Sequence, residues 1–275
     1  MKQLRGVLAV LSVALICACS DIKENRSVCP CWYTVDLTGV RQDVRNLHFW
    51  FFDDKDRLLY RDSLSGGVYE KYNVELTRGR VRCCIWGNLS EGTLLDDDGT
   101  PNSTLLKVGD LSSDSLFHYF KELDATSEFC NDTVRLKKEY AVVDFIVKGD
   151  IISDDHLQLR INSTTGGRYI DGRFIEENVS TVSLPVEEKE SFSKFCFRLM
   201  RQRSLRRVGA QIYAWQDGVV KLVKELPLGV WLEESGYNMS ADNLADISVE
   251  LDFVTSTVTV KMGAWQVTKP VDFEI

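Results

Sequence analysis

The chain has 275 residues, 44% of them hydrophobic and 27% charged, a globular composition sufficient for one large core or two sandwich-sized domains. Acidic residues (41) outnumber basic ones (33) for a formal net charge of −8, which disfavours nucleic acid as a partner because phosphate binding needs a basic face. Among the eight cysteines, the Cys29-Pro30-Cys31 spacing is one residue too short for the usual zinc-chelating pair, and the three histidines (His48, His118, His156) lie far from it, so neither metal nor cofactor is expected.

The chain opens with Lys2 and Arg5 ahead of an apolar run from Val7 to Ile16 that is too short to span a bilayer, so residues 1–18 read as a cleaved signal peptide. Ile16-Cys17-Ala18-Cys19 resembles a bacterial lipobox, in which the cysteine after the cut is diacylated and becomes the new N-terminus. Cys19 is the expected lipidation site, because use of Cys17 would put Ile16 where a small residue is needed. An ordinary secretory signal cut near Ala18 is the alternative and leaves a soluble protein. Residues 19–31 are then a lipidated N-terminus and polar spacer, and the remainder is a domain tethered at a membrane surface.

Strand patterns begin at once. Tyr33, Val35 and Leu37 alternate with polar residues, and the next strand, NLHFWFFDD from Asn46, is apolar on both faces and therefore central in its sheet. Asp53-Asp54-Lys55-Asp56 turns the chain into LLYRDS as a hairpin. It lacks the glycine and the closing glutamate of a calcium loop. Tyr72, Val74 and Leu76 alternate again, and Arg78-Gly79 leads into RVRCCIWGN as a second expected hairpin, with at most one of the adjacent Cys83 and Cys84 in the core. After a polar loop with a turn at Asp96–Gly99, Ser113 or Asp114 caps a predicted helix with Leu116, Phe117, Phe120 and Leu123 on one face.

From Thr133 the strand pattern returns in VRLKKEYAVVDFIVKG and LQLRINS. GGRYIDGRF interrupts it and opens a polar region through Glu190 that reads as a domain junction. FCFRLMR, RRVGAQIYAW, VVKLVKELPL, SVELDFV, TVTVKM and AWQVTK complete the chain. The fold class is all-β: two tandem antiparallel β-sandwiches, residues 32–170 and 171–275, with one short helix.

No nucleophile elbow, zinc-protease motif, phosphate loop or dinucleotide fingerprint occurs, and His48 within an aromatic strand reads as packed, so no catalytic residue is expected. Trp50, Trp86 and Trp265 lie on strands where core packing is the default; a glycan-binding lipoprotein would need exposed aromatics instead. Arg198, Arg201, Arg203, Arg206 and Arg207 span a predicted hairpin, as a solvated turn or as a contact for anionic head groups.

Taken together, the lipobox, Cys29-Pro30 before the first strand, NLHFWFFDDKDRLL, VELTRGRVRCCIWGNLS, VRLKKEYAVVDFIVKG, FCFRLMRQRSL and VTVKMGAWQV resemble, in order, the FimB-type fimbrial anchor lipoproteins of Bacteroidales. The sequence departs from that pattern at Met262-Gly263-Ala264 and in its number of cysteines. The resemblance implies two transthyretin-like sandwiches in an outer-membrane lipoprotein, part of a fimbrium at the cell surface. Its partner would be a fimbrial shaft subunit, which it anchors and whose polymerisation by β-strand addition it limits. The chain ends ten residues after Trp265, leaving little to donate as a strand. A surface glycan-binding lipoprotein and a fimbrial tip or accessory subunit are the alternatives.

Overall fold

The computed structural model describes residues 29–90, 99–107, 115–149, 157–189, 191–216 and 218–272. The signal peptide, Cys17, Cys19, Asp96–Asp98, Ser113, Asp114 and His156 lie outside the described residues. In the first half the strands are β1 (Cys31–Asp36), β2 (Asn46–Asp53), β3 (Leu58–Ser65), β4 (Lys71–Leu76), β5 (Arg80–Gly87), β6 (Thr104–Lys107), β7 (Phe117–Asp124), β8 (Phe129–Thr133) and β9 (Lys137–Lys138). The second half holds β10 (Tyr140–Lys148), β11 (Leu157–Tyr169), β12 (Phe174–Ser183), β13 (Glu187–Lys189), β14 (Phe192–Met200), β15 (Gly209–Gln216) and β16 (Val219–Leu226), the helix α1 (Leu228–Glu234), then β17 (Ile247–Asp252), β18 (Thr257–Met262) and β19 (Trp265–Pro270).

The fold is all-β with one short helix, as expected. A three-stranded sheet, β4-β1-β8, faces a five-stranded sheet, β3-β2-β5-β7-β9, across a core built from Tyr33, Val35, Phe49, Phe51, Val74 and Ile85. Aromatic contacts lock the two layers: Tyr33 meets Phe51 edge-on at 5.9 Å and Phe49 stacks on Tyr72 at 4.5 Å. The second core lies between a six-stranded sheet, β13-β14-β10-β17-β18-β19, and the sheet β12-β11-β15-β16, with Phe145, Phe195, Ile212, Val249 and Val260 at its centre. Most pairs are antiparallel, but β1–β8 and β10–β17 are parallel, which demands the long crossovers that separate those strands in sequence.

Several expectations yield to tertiary pairing. The predicted helix around Leu116–Leu123 is strand β7, bonded along its whole length to β5; Phe117 and Leu123 are buried in that strand and Leu116 just before it, while Phe120 remains exposed. The helix forms instead at α1, where Pro227 precedes an apolar face of Leu228, Trp231 and Leu232. The β2–β3 hairpin forms as predicted, its turn held by the Asp53 carboxylate, which accepts from the backbone N–H groups of Lys55 and Arg57 at 2.8 and 2.9 Å. β4 and β5 are not a hairpin, since β4 pairs with β1 in one sheet and β5 with β2 and β7 in the other. The same holds for β14 and β15, which also lie in opposite sheets.

Cys83 and Cys84 are both fully buried, against the expectation that one would face out. The reason is that both faces of β2 and β5 are covered. On the outer face the turn of the β11–β12 hairpin reaches across from the second sandwich, and the Trp86 indole N–H donates to the Ile170 carbonyl at 2.7 Å. Residues 165–190, expected as a junction, are therefore mostly strands β11, β12 and β13. Residues 31–140 supply the first core, joined by Ile170 and Met200, and the second begins at Ala141. We propose that the two units divide at the β9–β10 link rather than at 170/171, which falls in the turn between two paired strands.

A buried ionic seam joins them. Glu139, at the link, binds the Arg168 guanidinium and lies 3.3 Å from Nε of Arg201; all three are almost fully buried. Arg168 also donates to the Gly172 carbonyl at 2.5 Å and stacks over the Phe174 ring at 3.7 Å, while Arg201 donates to the carbonyls of Lys138 and Ala241 at 2.7 and 2.8 Å. Beside them His118 packs on Trp86 at 4.3 Å, with Gly172 (φ 84°) so close that any Cβ there would collide with the imidazole.

Truncating Glu139 leaves two guanidinium groups buried without their carboxylate. Glu139→Ala should therefore lower the unfolding free energy by about 3–5 kcal/mol in a urea titration. His118 gives a pH signature: burial above all, then Arg168, Lys137 and Arg201, push its pKa down to about 3. The fold holds the neutral ring, so this stability is complete above the unfolded value near 6.5 and is lost as pH falls toward 3. Between pH 7 and 4.5 the loss should be about 2 kcal/mol, and His118→Gln should show a correspondingly smaller drop in urea midpoint over that interval.

Candidate functional site

The sheet edges and exposed apolar faces are the candidate sites of action. An edge strand offers a row of unpaired backbone groups to another chain unless charge, proline, shortness or a bulge blunts it. β13 has three residues, all exposed and charged, and β9 is a Lys137–Lys138 pair. The edge of β4 carries Lys71 and Glu75, β3 carries Arg61 and Asp62, and β19 ends at Pro270. β12 is irregularly paired with β11 and exposes Glu176 and Glu177, and β8 has five residues, including Asn131 and Asp132.

β16 is different. It pairs with β15 on one side, and no described strand pairs with the other. Val219, Val220 and Leu222 are 55%, 40% and 50% exposed, and Trp215, which pairs with Val220 across the hairpin, is 42% exposed. Tyr213, opposite Leu222, continues the strip, with the Arg160 guanidinium 4.7 Å from its ring centre. A bulge at Val223 separates this outer end from the inner end, where Leu226 enters the core.

Strand directions give the strip its position. β1 starts beside the β4–β5 and β7–β8 turns and runs toward Val134, whose N–H bonds the Asp36 carbonyl at 3.0 Å, that is, toward the seam. β11 runs from Leu157 to Tyr169, whose end lies against the first sandwich; β15 is antiparallel to it, so the Trp215 end lies beside Leu157, away from the seam. Chain entry at Cys31 and the apolar β15–β16 tip are thus at opposite poles of the molecule.

The residues singled out from sequence sort unevenly. Trp50 and Trp86 are fully buried, and Trp265 is half-buried, so none of the three offers an open stacking face. His48 is half-buried and stacks on Trp50 at 6.0 Å. The arginine run is not one surface: Arg201 is in the seam, Arg203 pairs with Glu176, and Arg206 lies 3.1 Å from Glu233. Cys29, Cys31, Cys83, Cys84, Cys130 and Cys196 are free thiols. The exposed Trp32 and Trp215 were missed, because alternation identifies the faces of a strand but not which sheet face is covered.

This arrangement of two sandwiches is a fold shared with several solved structures. Among solved structures it is similar to the fimbrial anchor protein Mfa2 from Porphyromonas gingivalis, at a TM-score of 0.65 and 14% identity over 87% of this chain and 99% of that one. A Bacteroides thetaiotaomicron protein described provisionally as polysaccharide-binding matches at 0.63 and 13% identity, covering 87% of this chain and 98% of its own. A protein from Bacteroides ovatus described provisionally as an adhesin also matches at 0.63 and 13% identity, covering 88% and 96%. No protein-family model and no curated protein matches the sequence. The resemblance inferred from sequence motifs therefore holds at the level of fold.

If Val220 and Leu222 serve a partner rather than the core, Val220→Lys with Leu222→Lys should change the unfolding free energy by less than about 0.5 kcal/mol per site, measured by thermal and urea unfolding.

Proposed function

We propose that this protein is a fimbrial anchoring subunit: lipidated at Cys19, it attaches a fimbrium to the outer membrane at the cell surface and limits its polymerisation. The observation that carries this reading is the open, apolar β16 edge, at the pole opposite chain entry, on a fold matched over nearly its full length by a fimbrial anchor protein. An extended strand of a shaft subunit would pair with the β16 backbone while its side chains pack on Trp215, Val220 and Leu222. Such a subunit accepts one neighbour at this edge and ends the polymer. Tension along the fimbrium would then pass from the second sandwich through the Glu139 seam to β1 and the lipid.

Cells lacking the protein should carry longer fimbriae that shed into the medium, with the shaft subunit still made and polymerised. Electron microscopy of fimbrial length and immunoblotting of the shed fraction measure this, and unchanged values on both counts remove the proposal. Cys19→Ala should block lipidation and release the protein or its precursor from the outer-membrane fraction. Retention of a palmitate-analogue label in that variant refutes Cys19 as the site.

A further inference from the structure

A second surface is built on the outer face of β4-β1-β8. The register aligns outward side chains of the three strands in rows. Trp32 stands beside Phe129, and Thr34 stands between Asn73 and Asn131. Asp36 stands beside Lys71, and around this end lies a shallow cavity of about 420 Å³ lined also by Thr34, Asn131, Asp132 and Thr133. Trp32 is 46% exposed and Phe129 67%, whereas the aromatic residues on the inner face of the same sheet, Tyr33 and Tyr72, are buried.

We propose that this face binds a neutral polysaccharide chain of the cell's own surface. A sugar ring has apolar C–H faces and a rim of hydroxyls, and the face offers both complements: adjacent aromatic surfaces at one end and amide, hydroxyl and carboxylate groups at the other. Thr34 Oγ1 donates to Asn73 Oδ1 at 2.8 Å, which fixes the orientation of the Asn73 amide. Asp36, fixed by the N–H and hydroxyl of Thr38 at 2.9 and 2.7 Å, supplies an acceptor that does not need to move when a hydroxyl arrives. A lipid surface would be met by basic residues around the aromatics, but here Trp32 has Glu75 as its cross-strand partner on β4. The choice of the cell's own polysaccharide rests on the anchoring reading: the thirteen residues from Cys19 to Trp32 reach at most about 45 Å, which keeps the face close to the membrane.

The test is affinity electrophoresis of the mature chain in gels containing polysaccharide released from the producing cells, with dextran gels and phosphatidylethanolamine vesicles in parallel. Retardation by the cell-surface polysaccharide is expected, weakened roughly tenfold in Trp32→Ala and in Phe129→Ala. Trp215→Ala should retain full retardation, and circular dichroism should be unchanged in all three variants. No retardation, retardation that persists in both face variants, retardation by dextran alone, or vesicle binding that depends on Trp32 overturns the proposal. Fimbrial length and shedding in the Trp32→Ala strain keep the two readings separate: normal fimbriae with lost glycan binding support this site, and loss of anchoring with glycan binding intact overturns it as a distinct surface.

Discussion

One buried carboxylate, that of Glu139, holds the architecture together. Its side chain balances Arg168 from the β11–β12 hairpin and Arg201 from the end of β14, and its backbone bonds Leu116 at 3.0 Å and Arg201 at 2.8 Å. Two buried guanidinium groups without a counter-charge would be costly, so the three elements must converge for any to be stable there. Once they do, the hairpin turn is delivered onto the first sandwich, where Ile170 accepts from Trp86 and Gly172 meets His118. What would otherwise be two sandwiches on a link becomes one body with interlocked cores.

That interlock bears on any role under load. A linker of ordinary loop residues would let the two sandwiches reorient, as modest inter-domain interfaces do. Here the link is two strands, β9 and β10, around a buried residue, and a thirteen-residue strand, β11, spans both units. The first sandwich has its own tie: Asp132 of β8 accepts from Tyr33 at 3.2 Å, from Lys121 at 2.6 Å and from Tyr119, joining the edge strand to both sheets. Burial opposes ionisation of Asp132, yet Lys121, Tyr119 and the Thr133 N–H hold its pKa below the ordinary carboxylate value. The fixed arrangement keeps chain entry and the β16 edge at opposite poles.

The two surfaces differ in chemistry. Trp215 lies on an open strand edge among aliphatic residues, suited to another polypeptide; Trp32 lies on a sheet face among amides and hydroxyls, suited to a polyhydroxylated chain. Neither depends on the other, and neither involves the seam. Burying Trp86 and Trp50 under the hairpin leaves these surfaces as distinct patches rather than parts of one aromatic band.

The sequence by itself determined the local grammar. Period-two alternation marked β1 and β4 with the correct inward residues, and the run NLHFWFFDD announced a strand covered on both faces. It could not determine which strands pair, because alternation identifies the faces of a strand and says nothing about its neighbours. So β4–β5 looked like a hairpin although its turn crosses between sheets, and the helix-like spacing of Leu116, Phe117, Phe120 and Leu123 hid a strand that β5 holds by eight paired positions. GGRYIDGRF read as a junction because its glycines and charges are the marks of a loop. Only the folded chain brings Glu139 within reach of Arg168 and buries that pair. A residue's burial is set by what covers it from afar in sequence, and for Cys83, Cys84, Trp86 and Arg201 that cover came from elements that only tertiary structure could supply.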